Sequence, residues 1–251
     1  MTDPLLIEDI NLSVAWARVL KHIIDNPGKE ISPLILSLTD YRESYQIRGA
    51  VDRGLNSNKL SSIQTVSETI FPESLYRFCG NDRELLYLEY LKNLPRIKKI
   101  VKSNSKGTYF GRLISYDGAV KNVNQLEIII SSLLDDSKVK RRSKLQASVF
   151  NPHIDHTNNV YQGFPCLQHI TFYKTKDNGL VMNSFYAIQY FYKRAYGNWL
   201  GLINLGKFVA KEANLELVRF NCYVGVEHLD NISKTEAQSI YDGMNLKAFV
   251  L

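Results

Sequence analysis

Cys166 follows a proline in GFPCLQHITF and opens a run with the composition of a strand. A thiol at the first position of a strand can reach the mouth of a cleft and act as a nucleophile once ionised. The plainer reading is packing, since free cysteine is among the most buried side chains. Arg141 and Arg142, in KVKRRSK, carry planar donor forks that suit bidentate contact with a phosphate, or they are solvated surface arginines. His153, Asp155 and His156 crowd into NPHIDH. Their spacing matches no standard metal-ligand pattern and a polar turn accounts for them, so no metal is expected. His228 lies just after the strand-like LELVRFNCYVG, where site residues are common, although a lone histidine is more often structural.

The elements that must position these residues are legible in outline. EDINLSVAWARVLKHIIDN has apolar residues at helical spacing (Leu12, Trp16, Val19, Leu20, Ile23) and stops at NPGK, which predicts an N-terminal helix. ISPLILSLTD reads as a buried strand. Residues 61–94 read as helical, broken at Pro72 and at Gly80-Asn81. Gly107–Gly118 suits a loop leading into a short strand. NVNQLEIIISSLLDD is a helix with Asn122 and Gln125 as a capping-box-like pair. SKLQASVF alternates as a strand and NPHIDHTNN turns. CLQHITFYK and GLVMNSFYAIQYFY are two strands around TKDNG, with Cys166, Gln168, Ile170 and Phe172 expected on one face. NWLGLINLGKFVAKEAN is a helix with Trp199, Leu202, Ile203, Ala210 and Ala213 on one side, LELVRFNCYVG is a strand, and the last stretch is weakly patterned. Strands interleaved with helices and including an adjacent antiparallel pair give an α+β or mixed α/β fold.

The 251 residues suffice for a substantial core, and 45% hydrophobic with 22% charged residues is a globular composition. No apolar run is long enough to span a membrane, and the acidic start MTDPLLIEDINL has no secretory pattern. Three scattered cysteines make no disulfide framework, so a cytoplasmic location is expected. A net charge of +6 favours anionic partners. Much of the excess lies in Arg96–Lys106 and Lys138–Lys144, which read either as solvated loops or as a charge-driven nucleic-acid surface.

The order of the chemical residues adds a further reading. Tyr109-Phe110-Gly111 comes first, then Asn124-Gln125-Leu126 opening a helix, then Arg141-Arg142, a strand ending FNP, Pro165-Cys166, Gly197-Asn198 opening a helix, and His228. This resembles the thymidylate synthase family, with its YG segment, DQ helix start, paired arginines before WNP, PC nucleophile, asparagine at a helix start and late GDAH. The resemblance covers about Gly107–Asp230. It implies a single domain over 1–251, with a diverged N-terminal segment over residues 1–106, a family-like core over 107–230 and a shortened tail over 231–251. It implies a large curved sheet flanked by helices and dimerising through the sheet. Cys166 would add to carbon 6 of a pyrimidine nucleotide of the dUMP or UMP type, making carbon 5 nucleophilic towards a one-carbon donor, 5,10-methylenetetrahydrofolate. Arg141 and Arg142 would hold the phosphate in the partner subunit's site, which implies a homodimer. Asn198 would meet the base edge, His228 the sugar or phosphate, and Tyr109 the cleft wall. Glu73, in PESLYRFCGN, would be the glutamate that organises water, with Glu68 competing for that role.

The departures from the family are specific. Ala187 and Tyr190 stand where the family has a phosphate-binding, thiol-activating arginine and an aspartate. Arg194, four residues before Asn198, is the nearest arginine that could substitute. Leu167 replaces the histidine of PCH, Asp230 replaces a late tyrosine, the early arginine loop has no match, and only 23 residues follow His228. Three functions follow: a transferase methylating or hydroxymethylating carbon 5, a nucleotide-binding homologue without turnover, and, less favoured, a basic nucleic-acid-binding protein.

Overall fold

The computed structural model describes residues 4–100, 104–118, 121–135, 137, 141–160, 163–230 and 232–246. Portions of both basic runs (101–103 and 138–140) and of the C-terminal stretch (247–251) fall outside them. The fold is mixed α/β, a large mixed open sheet flanked by helices.

Two β-helix-β units organise the sheet. In the first, β1 (Leu5–Asn11) and β3 (Leu34–Arg42) pair in parallel, with helix α1 (Leu12–Asp25) between them. In the second, β6 (Gly179–Tyr190) and β7 (Glu216–His228) pair in parallel across α9 (Tyr196–Glu212). A parallel pair needs a long crossover, and each unit supplies it with a helix. β3 and β7 run antiparallel and join the units. β5 (Leu167–Lys174) and β4 (Gln146–Ser148) extend the other edge antiparallel, giving the order β1-β3-β7-β6-β5-β4, and the short β2 (Glu30–Ile31) pairs with the end of β7.

α1 and α9 pack on one face of the sheet. Trp16 of α1 stacks on Phe191 at 4.6 Å, and both are fully buried, as are Trp199, Leu202 and Ile203 of α9. Helix α2 (Tyr45–Ser57), capped by Ser44, leads to α3 (Ile63–Ile70), which sits directly on α9. A Cβ on Gly197 would lie 2.5 Å from Val66 Cβ, and one on Gly201 would lie 2.7 Å from the Ser67 carbonyl oxygen. These two glycines, four apart on one helical face, let the backbones close together beside Asn198.

The opposite sheet face carries an exposed apolar row. Leu6 pairs with Ile35, Ile35 with Tyr223, and Tyr223 with Phe185, so the row crosses four strands, and the Phe185 and Tyr223 rings stack at 5.5 Å. All four side chains are exposed. Beside it runs a polar row, in which Asn221 donates to Asn183 (2.8 Å) and Asn183 to Thr171 (3.0 Å).

Several sequence expectations need correction. The N-terminal helix does not include Glu8–Asn11. Those residues belong to β1, because Asn11 caps α1 by accepting from the backbone N–H groups of Ser13 and Val14. Gly107–Gly118 is not a loop and strand. Thr108 caps a short helix α6 (Tyr109–Ile114), accepting from the Gly111 N–H. Helix α7 (Gln125–Leu134) is capped by Asn124, not by Asn122 and Gln125. Gln125 instead donates to the Arg112 and Ser148 carbonyls. NPHIDH holds one helical turn, α8 (Pro152–Asp155), capped by Asn151. Cys166, Gln168, Ile170 and Phe172 do not share one face. A bulge between Leu167 and His169 shifts the alternation, so Leu167, Ile170 and Phe172 are buried while Gln168 is not. The weakly patterned last stretch contains α10 (Lys234–Asp242) with a full Ser233/Glu236 capping box. The break at Pro72 and the Gly80-Asn81 interruption are present, bounding α4 (Glu73–Phe78), but Pro95 lies inside α5 (Arg83–Ile100).

Candidate active site

Cys166 sits at the start of β5, after the cis Phe164-Pro165 bond, and is half-buried, whereas Cys79 and Cys222 are buried. Its carbonyl accepts from the Ala187 N–H of β6 at 3.2 Å. Ala187 is therefore next to the thiol's backbone, and its methyl group brings no charge. Burial pushes the thiol up from its ordinary value, and the Arg194 guanidinium pulls it back. Arg194 lies on a π-helical turn, Phe191–Ala195, that joins β6 to α9. Such turns recur at functional sites. No ion pair ties up Arg194 among the described residues.

Tyr109, in the first turn of α6, is the second group at the thiol. Its side chain is half-buried, and the backbone of Cys166 and Leu167 lies beside its hydroxyl. Burial, and then the proximity of Cys166, hold the phenol protonated, while the neighbouring Leu167 and Cys166 backbone and the Arg194 guanidinium act the other way. Its ring lies 5.1 Å from Phe164, and Phe164 in turn lies under the Arg112 guanidinium at 4.7 Å. Arg112 is fixed by Asp155, with which it makes a two-pronged ion pair, and by the Val149 carbonyl at 2.7 Å. Asp155 also accepts from the Asn151 N–H at 2.7 Å, so its carboxylate is fully engaged. His153 and His156 are exposed on the same turn. Among the described residues no three His, Cys, Asp or Glu side chains come together in a metal-binding group.

Asn198 lies one turn beyond Arg194, in the first turn of α9. It is only 6% exposed, and its side chain makes no hydrogen bond among the described residues. An amide held this way has both a donor and an acceptor free for a ligand. His228 ends β7 opposite Tyr190. Its Nδ1 accepts from the Asp230 N–H at 2.8 Å, its Nε2 is 4.0 Å from Glu30, and its ring meets the Tyr190 ring edge-on. Lys193 bridges Asp230 (2.9 Å) and the face of Tyr190 (4.1 Å). The structure thus gathers Cys166, Tyr109 and Arg194, with Asn198 one turn on, and a separate Tyr190–Lys193–His228–Asp230 group at the end of the sheet.

The remaining candidates lie elsewhere. Arg142 stacks on Tyr173 at 4.6 Å, at the far end of β5 from Cys166. The intervening strand spans roughly 20 Å. Arg141 precedes it at the start of a 3-10 turn. Glu73 pairs with Arg77 and accepts from Asn204 at 3.1 Å, and Glu68 accepts from Ser74 and Gln64. Neither glutamate has a contact with Cys166.

Sequence reasoning missed three polar groups next to this site. Tyr186, Gln189 and Glu227 are buried to within 2% of complete enclosure, and Tyr186 Oη, both amide atoms of Gln189 and both carboxylate oxygens of Glu227 have no hydrogen-bond partner. Gln189 and Glu227 are lateral neighbours on β6 and β7. On both strands the buried positions fall three apart at this level, Tyr186 then Gln189 and Val224 then Glu227. The alternation slips by one residue and turns polar side chains inward. A Cβ on Gly225 would lie 2.7 Å from the Ala187 carbonyl oxygen, so the glycine marks where the strands crowd. Burial holds the Glu227 carboxyl far above the usual carboxylate range, that is, protonated.

No protein-family model matches the chain, and no curated protein matches it in sequence. No helix among the described residues is long and apolar enough to cross a membrane.

Proposed function

We propose that the protein binds a pyrimidine nucleotide of the dUMP or UMP type beside Cys166 and acts at carbon 5 of its ring, as a thymidylate synthase-like transferase that methylates or hydroxymethylates it. The observation that carries this reading is the meeting of Cys166, Tyr109 and the unpaired Arg194 at one half-buried strand end. Arg194 brings to the thiol the charge that Ala187 lacks. In the step envisaged, the thiol loses its proton to solvent and sulfur bonds to carbon 6. The ring double bond opens, and its electron pair moves through carbon 5 onto oxygen 4. The free amide of Asn198 is the group suited to that oxygen and the adjacent nitrogen, and His228 to the sugar or phosphate. Carbon 5 then takes up a solvent proton, and loss of a proton from carbon 5 with departure of the thiolate from carbon 6 restores the ring double bond. With a one-carbon donor bound, carbon 5 is the atom that would be substituted.

Arg141 and Arg142 stand too far along β5 to reach their own chain's Cys166, which supports their serving a partner's site. The exposed row Leu6, Ile35, Tyr223 and Phe185 is the surface on which two copies would stack sheet to sheet as a homodimer. 5,10-Methylenetetrahydrofolate is the one-carbon donor that the resemblance implies. Glu73 is committed to Arg77 and Asn204, so no step here is routed through folate.

A second reading, nucleotide binding without turnover, is favoured by the raised thiol pKa. Intact mass after incubation with 5-fluoro-dUMP and 5-fluoro-UMP, with and without methylenetetrahydrofolate, separates the two. A covalent adduct absent from Cys166→Ser is expected. Saturable binding of both nucleotides without any adduct would leave the non-turnover reading standing.

A further inference from the structure

A cavity of about 260 Å³ lies between the C-terminal end of α5, the start of α6 and the residues beside the Tyr116–Val123 bridge. It is a different space from the Cys166 site and adjoins it through Arg112, which lies over Phe164, and through Gly107 and Thr108 at the start of α6. The chemistry of the wall is two-sided. Lys98 and Lys106 line it, and neither has an ion-pair partner among the described residues. Asn151, 5% exposed, also lines it. Its side-chain oxygen accepts from the His153 N–H, and its amide nitrogen has no partner. The charge of Arg112 is already answered by Asp155, so the two lysines against the single Asp117 carboxylate leave the wall with an excess of one positive charge. Elsewhere on the wall, Asn122 donates its amide to Ser115 Oγ (2.9 Å), leaving its own oxygen and the Asp117 carboxylate as acceptors.

Two ammonium groups and a buried amide donor suit an oxyanion, and two acceptors nearby suit hydroxyl or amine hydrogens. The volume equals roughly nine liquid-water volumes, enough for a ligand of about ten non-hydrogen atoms. We propose that this cavity binds a small oxyanion that also carries hydroxyl or amine groups, either a polyol phosphate or a hydroxy- or amino-carboxylate.

The full chain, labelled with nitrogen-15, is titrated with glycerol 3-phosphate, with serine, with glycerol and with sodium chloride at matched ionic strength. The readout is the backbone amides of Gly107 and Thr108 and the side-chain amide of Asn151. At least one of glycerol 3-phosphate and serine is expected to give saturable shifts at these positions, and which one does identifies the oxyanion. In Lys98→Gln/Lys106→Gln the affinity should fall at least about tenfold, since each lost charge-assisted hydrogen bond weakens binding. Both lysines are exposed, so the rest of the spectrum should stay in place. The proposal fails if neither probe saturates, if the double variant binds as well as the parent, or if glycerol or chloride produces the same shifts.

Discussion

Replacing Asp155 by alanine should be among the most destabilising single changes in this chain. The Asp155 side chain is fully enclosed and that of its partner Arg112 is 9% exposed. The carboxylate accepts both guanidinium N–H groups and the Asn151 N–H, which also starts α8. Asp155→Ala leaves a buried guanidinium with only the Val149 and Lys106 carbonyls. Breaking a buried pair from one side costs about 3–5 kcal/mol. Against a typical total of about 5–15 kcal/mol, that is about a fifth of the stability or more. Removing both charges is different, because nothing is left uncompensated. Arg112→Leu/Asp155→Leu should therefore recover most of the loss, with a coupling energy of about 2 kcal/mol or more between the sites. Urea titration with linear extrapolation measures Asp155→Ala, the single variants Arg112→Leu and Asp155→Leu, and the double variant. A cost below about 1 kcal/mol for Asp155→Ala, or strict additivity in the double variant, would refute the reasoning.

Other outcomes follow from the same geometry. Glu227 has a folded pKa raised above its ordinary 4.5 by burial, so the folded state holds the extra proton. Its contribution is complete below the unfolded value and is lost as pH rises towards the folded one. Stability of the parent should fall from about pH 5 upward relative to Glu227→Gln, and parallel pH profiles by thermal unfolding would contradict this. Arg194→Met removes the charge that lowers the Cys166 thiol. The pH at which iodoacetamide alkylation of Cys166 reaches half its plateau should move up, and an unmoved profile would mean that Arg194 does not act on the thiol. Phe185→Asp puts a charge into the exposed apolar row beside Tyr223. Light scattering should show a dimeric parent and a monomeric variant, and a monomeric parent removes the sheet-to-sheet pairing. Gly197→Ala forces a methyl group to within 2.5 Å of Val66 Cβ and should cost about 1–3 kcal/mol. A neutral effect would show that α3 yields to α9.

The long helices and long strands were legible in the sequence because each presents a full period of apolar residues: Leu12 to Ile23 for α1, Trp199 to Ala213 for α9, and the runs of β5, β6 and β7. Errors concentrate where a side chain's local hydrogen bond decides the boundary. Asn11 ends β1, Thr108 starts the six-residue α6, and Asn124 outcompetes Asn122 as the cap of α7. A short element carries too few residues for periodicity to outweigh such caps. The site was legible as a set of residues more than as an arrangement. Cys166 and Tyr109 meet, and Asn198 keeps a free amide, but Arg194 lies on a π-helical turn that no spacing rule reveals. Glu227 faces inward only because the alternation slips beside Gly225, a tertiary feature of two paired strands. Arg142 and Glu73 were legible as charged residues, yet their neighbours, Tyr173 for one and Arg77 with Asn204 for the other, come from packing.

Exchange at carbon 5 of the nucleotide tests the Cys166 chemistry most directly, because it needs no one-carbon donor. Once sulfur has added to carbon 6, carbon 5 can take up a solvent proton, and elimination then returns the nucleotide. Incubated with dUMP or UMP in deuterium oxide and followed by proton NMR, the protein should erase the ring hydrogen-5 signal and leave the hydrogen-6 signal as a singlet, and Cys166→Ser should not. An undiminished hydrogen-5 signal in the presence of nucleotide shown to be bound would contradict the account.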